Sequence, residues 1–485
     1  MIESGEFATA PRGPLAKAAL HQIAGRVAMS AGRLVIAILL IRMAGSERYG
    51  EYSLVLSLLV IGDWLVDFGI SDIGVRNLAQ QSERRDVLLC ASRVVTGVQS
   101  IAAFVLLVLV LYFMGYPEQI VRAGLIGGVG LIFYAGVVVY RVAFRAVMRM
   151  GLDVWAEVTG LVVMFPLIVY AAAIDSSVEV FIACYVVARV VHFAVAAFVG
   201  RTIMAPRIWS VARGEAIRLF RQALPLGITG LLVSVNDNMI PVVISKLAGM
   251  DAVAEYAYTF RFAMPAIIVI QALNVAFFPL LSRSFAGDRL AFARTQQDAL
   301  ESSVLLGAGI FCFLNASSEF LLGLAGSELA GASLAFRLMT WAVMLRVLTM
   351  PISPLVVVAG GQGKVLWLTI LSVVLQLGAL VWLVPTYAAV GAIAAYLIVK
   401  LVVGTVPIIV ISGRMTGCPL RWRTALLALA CAGAALGATK LAFGLGPLWA
   451  GLLCTGLYAV FAFGSGACSI VRARALTASL MRRGL

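Results

Sequence analysis

Charge is what this chain has least of. Only 12% of its 485 residues are Asp, Glu, Lys or Arg, against about a quarter in a soluble domain. With 62% hydrophobic residues and a mean hydropathy of +1.02, no soluble surface can be built from it. The seven cysteines (Cys90, Cys184, Cys312, Cys418, Cys431, Cys454 and Cys468) are odd in number and scattered through apolar runs. That excludes a disulfide framework and a metal-ligand spacing, and leaves them as small hydrophobes. No G-x-x-x-x-G-K-[ST] run occurs. The nearest glycine-rich stretch, AGGQGK at 359–364, lacks the spacing and reads as a helix terminus, so no nucleotide site powers the protein. No loop exceeds about 20 residues, which leaves no room for the large extracytoplasmic loop of a polymerase or membrane glycosyltransferase. The period-2 alternation of barrel strands is missing as well.

What the chain does have is apolar segments of about 20 residues or more, the length a helix needs to cross roughly 30 Å of hydrocarbon. They predict an all-α polytopic membrane protein with about fourteen transmembrane helices, near 17–44, 49–71, 87–115, 119–147, 153–174, 178–203, 222–247, 252–281, 297–324, 332–359, 364–384, 388–413, 422–443 and 446–471. The polar, Pro/Gly-containing first 15 residues and the long first apolar segment read as a retained span rather than a cleaved signal. Basic loop residues alternate with this count. Arg76, Arg84, Arg85, Arg149, Arg201 to Arg221, Arg283 to Arg294, Lys364, Arg414 to Arg423 and the tail from Arg472 fall on one side. The positive-inside rule then predicts both termini in the cytoplasm. It also explains the net charge of +14 through anionic lipid headgroups, with no nucleic acid involved.

The stretch Leu34–Gly74 has a relative at Ser234–Tyr258. Met43, Ala44, Gly45, Glu51 and Tyr52 align without a gap on Leu247, Ala248, Gly249, Glu255 and Tyr256. The chain therefore reads as a duplication: an N-terminal six-helix bundle over 1–203, a cytoplasmic linker at 204–221, a C-terminal six-helix bundle over 222–413, and two further helices with a basic tail over 414–485. Six helices separate the copies, so both enter the membrane in the same direction, around an axis along the membrane normal and with a cleft between them. Helices thirteen and fourteen, rich in Ala, Gly and Leu, read as packing or partner helices.

Charges at membrane depth are costly and mark cavities or partners. Arg26 and Arg33 share a face of the first helix; Asp63 and Asp67 share one of the second. Arg93, Arg141, Arg145, Arg189 beside His192, Asp237, Arg261, Arg337, Arg346 and Lys400 follow. Arginine stays protonated anywhere and its fork matches phosphate oxygens, so the excess suits an anionic, phosphorylated cargo. Arg26, Arg33, Arg141, Arg145, Arg261 and Arg346 are the candidate cleft residues. Snorkelling from helix ends is the competing reading for Arg93, Arg141, Arg145 and Lys400. Arg33 and Asp237 are equivalent under the repeat and are expected to face the cleft, pairing across it in one conformation, or else to pair locally. Asp63, Asp67 and Asp237 are candidates for proton or cation coupling, with Asp67 alternatively capping the FGIS turn. Pro225, Pro265, Pro351 and Pro354 interrupt apolar runs without fixing a hinge. Sugar recognition is expected from Gln99, Gln271, Asn274, Asn236 and Asn238.

RMAGSERYGEYSL, followed by a helix ending LVDFGIS, resembles the opening of bacterial polysaccharide-unit flippases, the Wzx-like group of the multidrug/oligosaccharidyl-lipid/polysaccharide exporter superfamily. LAGMDAVAEYAY after Asp237, AFFPLLSR at 276–283 and VPTYAAVGAIAAYLI at 384–398 are similar to later stretches of that group. The resemblance implies a flippase, not an enzyme and without a cofactor. It would move an undecaprenyl-diphosphate-linked oligosaccharide for surface polysaccharide synthesis, with a polymerase and chain-length regulator as partners. A drug exporter of the same superfamily and a lipid-II-type flippase are the alternatives.

Overall fold

The computed structural model describes residues 12–201, 213–329, 331–352, 355–356, 360–417, 422–441 and 446–465. Among them every regular element is helical: α1 (Arg12–Ala44), α2 (Ser46–Asp67), α3 (Ile70–Gln80), α4 (Arg85–Phe113), α5 (Glu118–Ala146), α6 (Gly151–Ala173), α7 (Val178–Gly200), α8 (Arg213–Leu247), α9 (Met250–Gly287), α10 (Arg289–Ala316), α11 (Ser318–Gly323), α12 (Ser333–Thr349), α13 (Gln362–Val399), α14 (Val406–Thr416), α15 (Arg423–Leu441) and α16 (Pro447–Gly464).

Eleven of the described helical stretches are long and apolar enough to cross a membrane. One of them, Gly363–Thr416, has 54 residues and is two crossings. Its break is Ala388, with φ 48° and ψ −126°, three residues after Pro385, which cannot donate to the helix ladder. Adding α12 and the apolar segment Arg423–Thr439 of α15 gives fourteen crossings. The protein is thus an all-α polytopic membrane protein of two parallel six-helix repeats around a central cleft, with two extra C-terminal helices.

Two boundaries move from the sequence reading. The second crossing does not stop at residue 71: α3 extends it to Gln80 after a break at Phe68 and Gly69, both left-handed (φ 37° and 77°). The expected linker 204–221 ends sooner, because α8 is already helical at Arg213. Residues 204–212, the tail from 466, Pro354, Cys418 and Cys468 lie outside the described residues.

The repeated motif carries repeated geometry. Gly45 joins α1 to α2 with φ 87° and ψ 167°, and Gly249 joins α8 to α9 with φ 87° and ψ 179°, conformations reserved for glycine. Packing repeats too. Helix α1 rests on α9 as α8 rests on α2, and α1 rests on α6 as α8 rests on the first leg of α13. The elbows meet closely: a Cβ on Gly50 would lie 2.1 Å from the Met250 carbonyl oxygen. Helices α15 and α16 both pack on α10, where Ala428, Ala432 and Ala435 are buried and Gly451 touches Ser317. Small side chains there let the helix backbones approach.

The two membrane faces differ. On the face away from the N-terminus, one apolar core runs through both halves, with Leu40, Tyr49, Tyr52 and Leu59 continuous with Ile240, Tyr256, Tyr258 and Phe336. On the face bearing the basic loops the core divides into separate clusters. One of them still bridges the halves, joining Ile70, Ala91 and Val95 to Ala216, Leu219 and Ala223.

Candidate functional site

The charges at depth are organised into two networks, one in each half. In the first, Asp63 of α2 accepts a hydrogen bond from Arg189 of α7. Arg189 also bonds the Tyr185 hydroxyl and stacks over the Tyr134 ring, 4.6 Å from its centroid. Tyr134 passes the network to Arg141 of α5, whose Nη1 lies 3.1 Å from the tyrosine oxygen. Arg141 Nε donates to Asp153 Oδ2 of α6 at 2.9 Å, and its Nη1 sits 3.9 Å from Asp67 Oδ2. Buried guanidinium and carboxylate groups thus answer one another across four helices, as charges in a low dielectric must.

Asp67 has a second task. Its carboxylate accepts from the Ser71 amide at 2.9 Å and the Ser71 hydroxyl at 2.8 Å, capping α3 across the left-handed turn. This is the FGIS interaction expected from the sequence. At the turn, Gly69 lies against α8: a Cβ would sit 3.2 Å from the Gly227 nitrogen. Phe68 stacks on Phe220, with ring centroids 6.0 Å apart. Asn77 bonds Gln222 at 2.8 Å and Arg84 bonds Glu215 at 2.5 Å, so the seam between halves on the basic face is polar at its rim.

In the second half one acid serves two cations. Asp237 Oδ2 of α8 is 3.4 Å from Arg346 of α12, and its Oδ1 is 3.9 Å from Lys400, at the start of the π turn Lys400–Thr405. Arg346 also reaches the Tyr396 hydroxyl at 3.4 Å. Asn236, beside Asp237, accepts from Ser372 at 3.3 Å.

Arg33 and Asp237 do not pair in this structure. Arg33 donates to Glu157 of α6 at 2.8 Å instead, because α6 packs along the basic half of α1 with Gly25 and Gly32 against Val154 and Leu161. Asp237 turns to Arg346 and Lys400 in its own half. Between Ala24 and Val35 only Met29 is buried, so Arg26 and Arg33 are exposed at membrane depth. The Arg33 side chain is 54% accessible, yet lies within electrostatic range of buried Asp63, Tyr52 and Tyr185.

The other candidates scatter. Arg145 approaches Asp72 at 3.8 Å on the basic face, and Arg261 donates to the Tyr49 hydroxyl at 2.8 Å within the shared core. Arg141 is buried in the first network rather than snorkelling. Lys400 points at Asp237, although π turns carry no sequence mark. Of the expected sugar-contacting amides, both side-chain polar atoms of Asn274 and the Gln99 oxygen are buried without a protein partner. Asp153 and Glu157, not among the charges expected at depth, fall in the first turns of α6, and their spacing of four, which puts both on one face, is their signal in the sequence.

Residues 19–285 match the polysaccharide biosynthesis protein family. Among curated protein sequences none matches the chain. Among solved structures, the lipid II flippase MurJ in an inward closed conformation is similar at a TM-score of 0.75 and 12% identity, covering 92% of this chain and 98% of that one. An inward-facing multidrug resistance transporter of the MATE family and MOP superfamily is similar at 0.65 and 16% identity, covering 80% and 94%. A MOP superfamily transporter from Pyrococcus furiosus with a binding pocket of reversed polarity is similar at 0.59 and 17% identity, covering 84% and 99%. At these identities the likeness is one of fold.

Proposed function

We propose, from the premise that the chain belongs to the polysaccharide biosynthesis protein family and has the fold of MOP-superfamily transporters, that it translocates an undecaprenyl-diphosphate-linked oligosaccharide between membrane leaflets by alternating access. The protein is a transporter of that superfamily rather than an enzyme. The observation that carries the substrate reading is the exposed pair Arg26 and Arg33, both within the apolar crossing stretch Ala24–Ala44 of α1. A guanidinium that costs several kcal/mol to hold in hydrocarbon is retained where it gains something, and a diphosphate supplies matching oxygens.

On this reading the diphosphate enters between the halves from the basic face, the cytoplasmic side of a bacterial inner membrane, and the lipid tail stays in the bilayer. Arg33 exchanges Glu157 for phosphate, and Arg26, on the same face, supplies the second fork. Arg145 and Arg346 lie deeper or nearer the rim and engage later in the cycle.

Reconstituted protein tests this directly. Vesicles carrying a fluorescent undecaprenyl-diphosphate oligosaccharide on the inner leaflet are treated with an impermeant glycosidase outside. Native protein should expose the glycan, and R26A/R33A should slow exposure at least about tenfold, the equivalent of 1.4 kcal/mol. Equal rates would remove the arginines from the substrate path. Preference for lipid II over the oligosaccharide lipid would reassign the cargo.

A further inference from the structure

We propose that His192 and Asp153 form a proton-binding site, and that proton occupancy there sets the seam between α2–α3 and α8. The proposal rests on the alternating-access reading above. His192 of α7 is buried, and its Nε2 has no hydrogen-bond partner. Asp153 Oδ1 of α6 is likewise buried without a partner, and the two atoms stand 3.7 Å apart. The neutral imidazole meets this acceptor by carrying its one proton on Nε2, which leaves Nδ1 as the position for a second. One added proton there makes the imidazole cationic while Nε2–H still faces Oδ1. Nothing else is consumed or released.

The surroundings make this a switch rather than an isolated pair. Asp153 and Glu157 of α6 lie within electrostatic range of the imidazole, and linked to them or to one another are Arg141 and Tyr134 of α5, Arg189 and Tyr185 of α7, Asp63 and Asp67 of α2, and Arg26 and Arg33 of α1. Asp153 is the shared member, since its other oxygen holds Arg141. When His192 becomes cationic, Asp153 is divided between two cations and its hold on Arg141 weakens. The guanidinium, already 3.9 Å from Asp67, shifts toward that carboxylate. Asp67 caps the left-handed turn at Phe68 and Gly69, and that turn is what rests on Phe220 and Gly227 of α8. A proton on the imidazole therefore reaches the inter-half seam through three side chains. Imidazole is the one side chain that ordinarily changes charge between about pH 5 and 8.

The test needs no glycolipid. Spin labels at Glu83→Cys and Arg218→Cys, on opposite sides of the seam in a cysteine-replaced background, report the separation by pulsed electron resonance in nanodiscs. The separation should change between about pH 8 and 5.5. H192Q and D153N should each abolish the change, and H192R, with its permanent charge, should hold the low-pH separation at pH 8. If H192Q does not purify as a monodisperse protein, D153N and H192R carry the comparison. An unchanged response in H192Q or D153N, or no response in the native protein, overturns the proposal. Failed glycan translocation with an intact seam response would count against the substrate reading alone.

Discussion

In the first half, three acids from α2 and α6 interlock with Arg141 and Arg189 through two tyrosines. In the second, Asp237 alone faces Arg346 and Lys400. Yet the elbows that open the halves, Gly45 and Gly249, share a backbone conformation, and the helices around them pack in the same pairs. Duplication has preserved backbone geometry, which packing enforces, and let the charges diverge. The first half is acid-rich and branched, whereas the second is cationic and hangs on one carboxylate.

That contrast should show most strongly in stability. D237A strips the partner from two half-buried cations at once; removing one member of a fully buried pair typically costs about 3–5 kcal/mol, and the partial exposure here brings the expected loss below that. R189A takes one hydrogen-bond partner from Asp63 and leaves Arg141 and Arg33 within electrostatic range of it. D237A should therefore lower the thermal midpoint in detergent more than R189A, and D237N, which keeps a polar atom at the site, should fall between. An R189A protein less stable than D237A would mean that the branched network, not the single acid, is the weaker design.

The elbows should behave alike. Alanine at Gly45 or Gly249 must adopt a φ near 87° with an extended ψ, a region closed to side chains, at a cost of about 1–3 kcal/mol. Neither added Cβ would meet an atom within 4 Å, so the cost is backbone strain alone. G45A and G249A should lower the midpoint by similar amounts. A clear inequality would show that the symmetry of the two elbows is only geometric.

Much of this was legible in the chain, for physical reasons. Hydrocarbon thickness sets helix length, so the number of crossings could be read from apolar runs, and Ala388 breaks α13 where the twelfth segment was expected to start. The repeat set Gly45 over Gly249, and the two share a conformation that only glycine fits. Asp67 capping Ser71 was local and therefore visible. Partners were not. Arg33 finds Glu157, 124 residues away, because α6 lies along α1, and no pattern within either helix records which neighbour it will have. The break at Phe68 was hidden for a related reason: α3 continues an apolar run, and the left-handed turn is held by the α8 backbone.

A smaller effect separates binding from stability on α1. Arg33 is more than half exposed, and exposed pairs contribute about 0–1 kcal/mol. R33A should thus leave the thermal midpoint nearly unchanged while slowing translocation, whereas R141A, buried among Tyr134 and Asp153, should lower both. If R33A destabilised the fold as much as R141A, Arg33 would be a structural partner of Glu157 and no more.

The smallest effect is expected where the elbows differ in sequence. Arg48, next to the first elbow, bonds Asp175 in the loop between α6 and α7; the equivalent position after the second elbow is Ala252, which offers no such bond. The hydrogen bond from Arg48, and then its charge, hold the Asp175 carboxyl below its ordinary range. A depressed folded-state value means the contribution is present above the unfolded carboxyl's titration and is lost as pH falls through the folded one. Asp175 is, however, fully in solvent, where salt screens the pair and side-chain freedom opposes it. R48A should leave the midpoint within replicate scatter at neutral pH, and the native protein's advantage should vanish in high salt or in acid below the ordinary carboxylate range. A loss comparable to that of G45A would mean that this loop, and not the glycine, fixes the angle at which the first half turns.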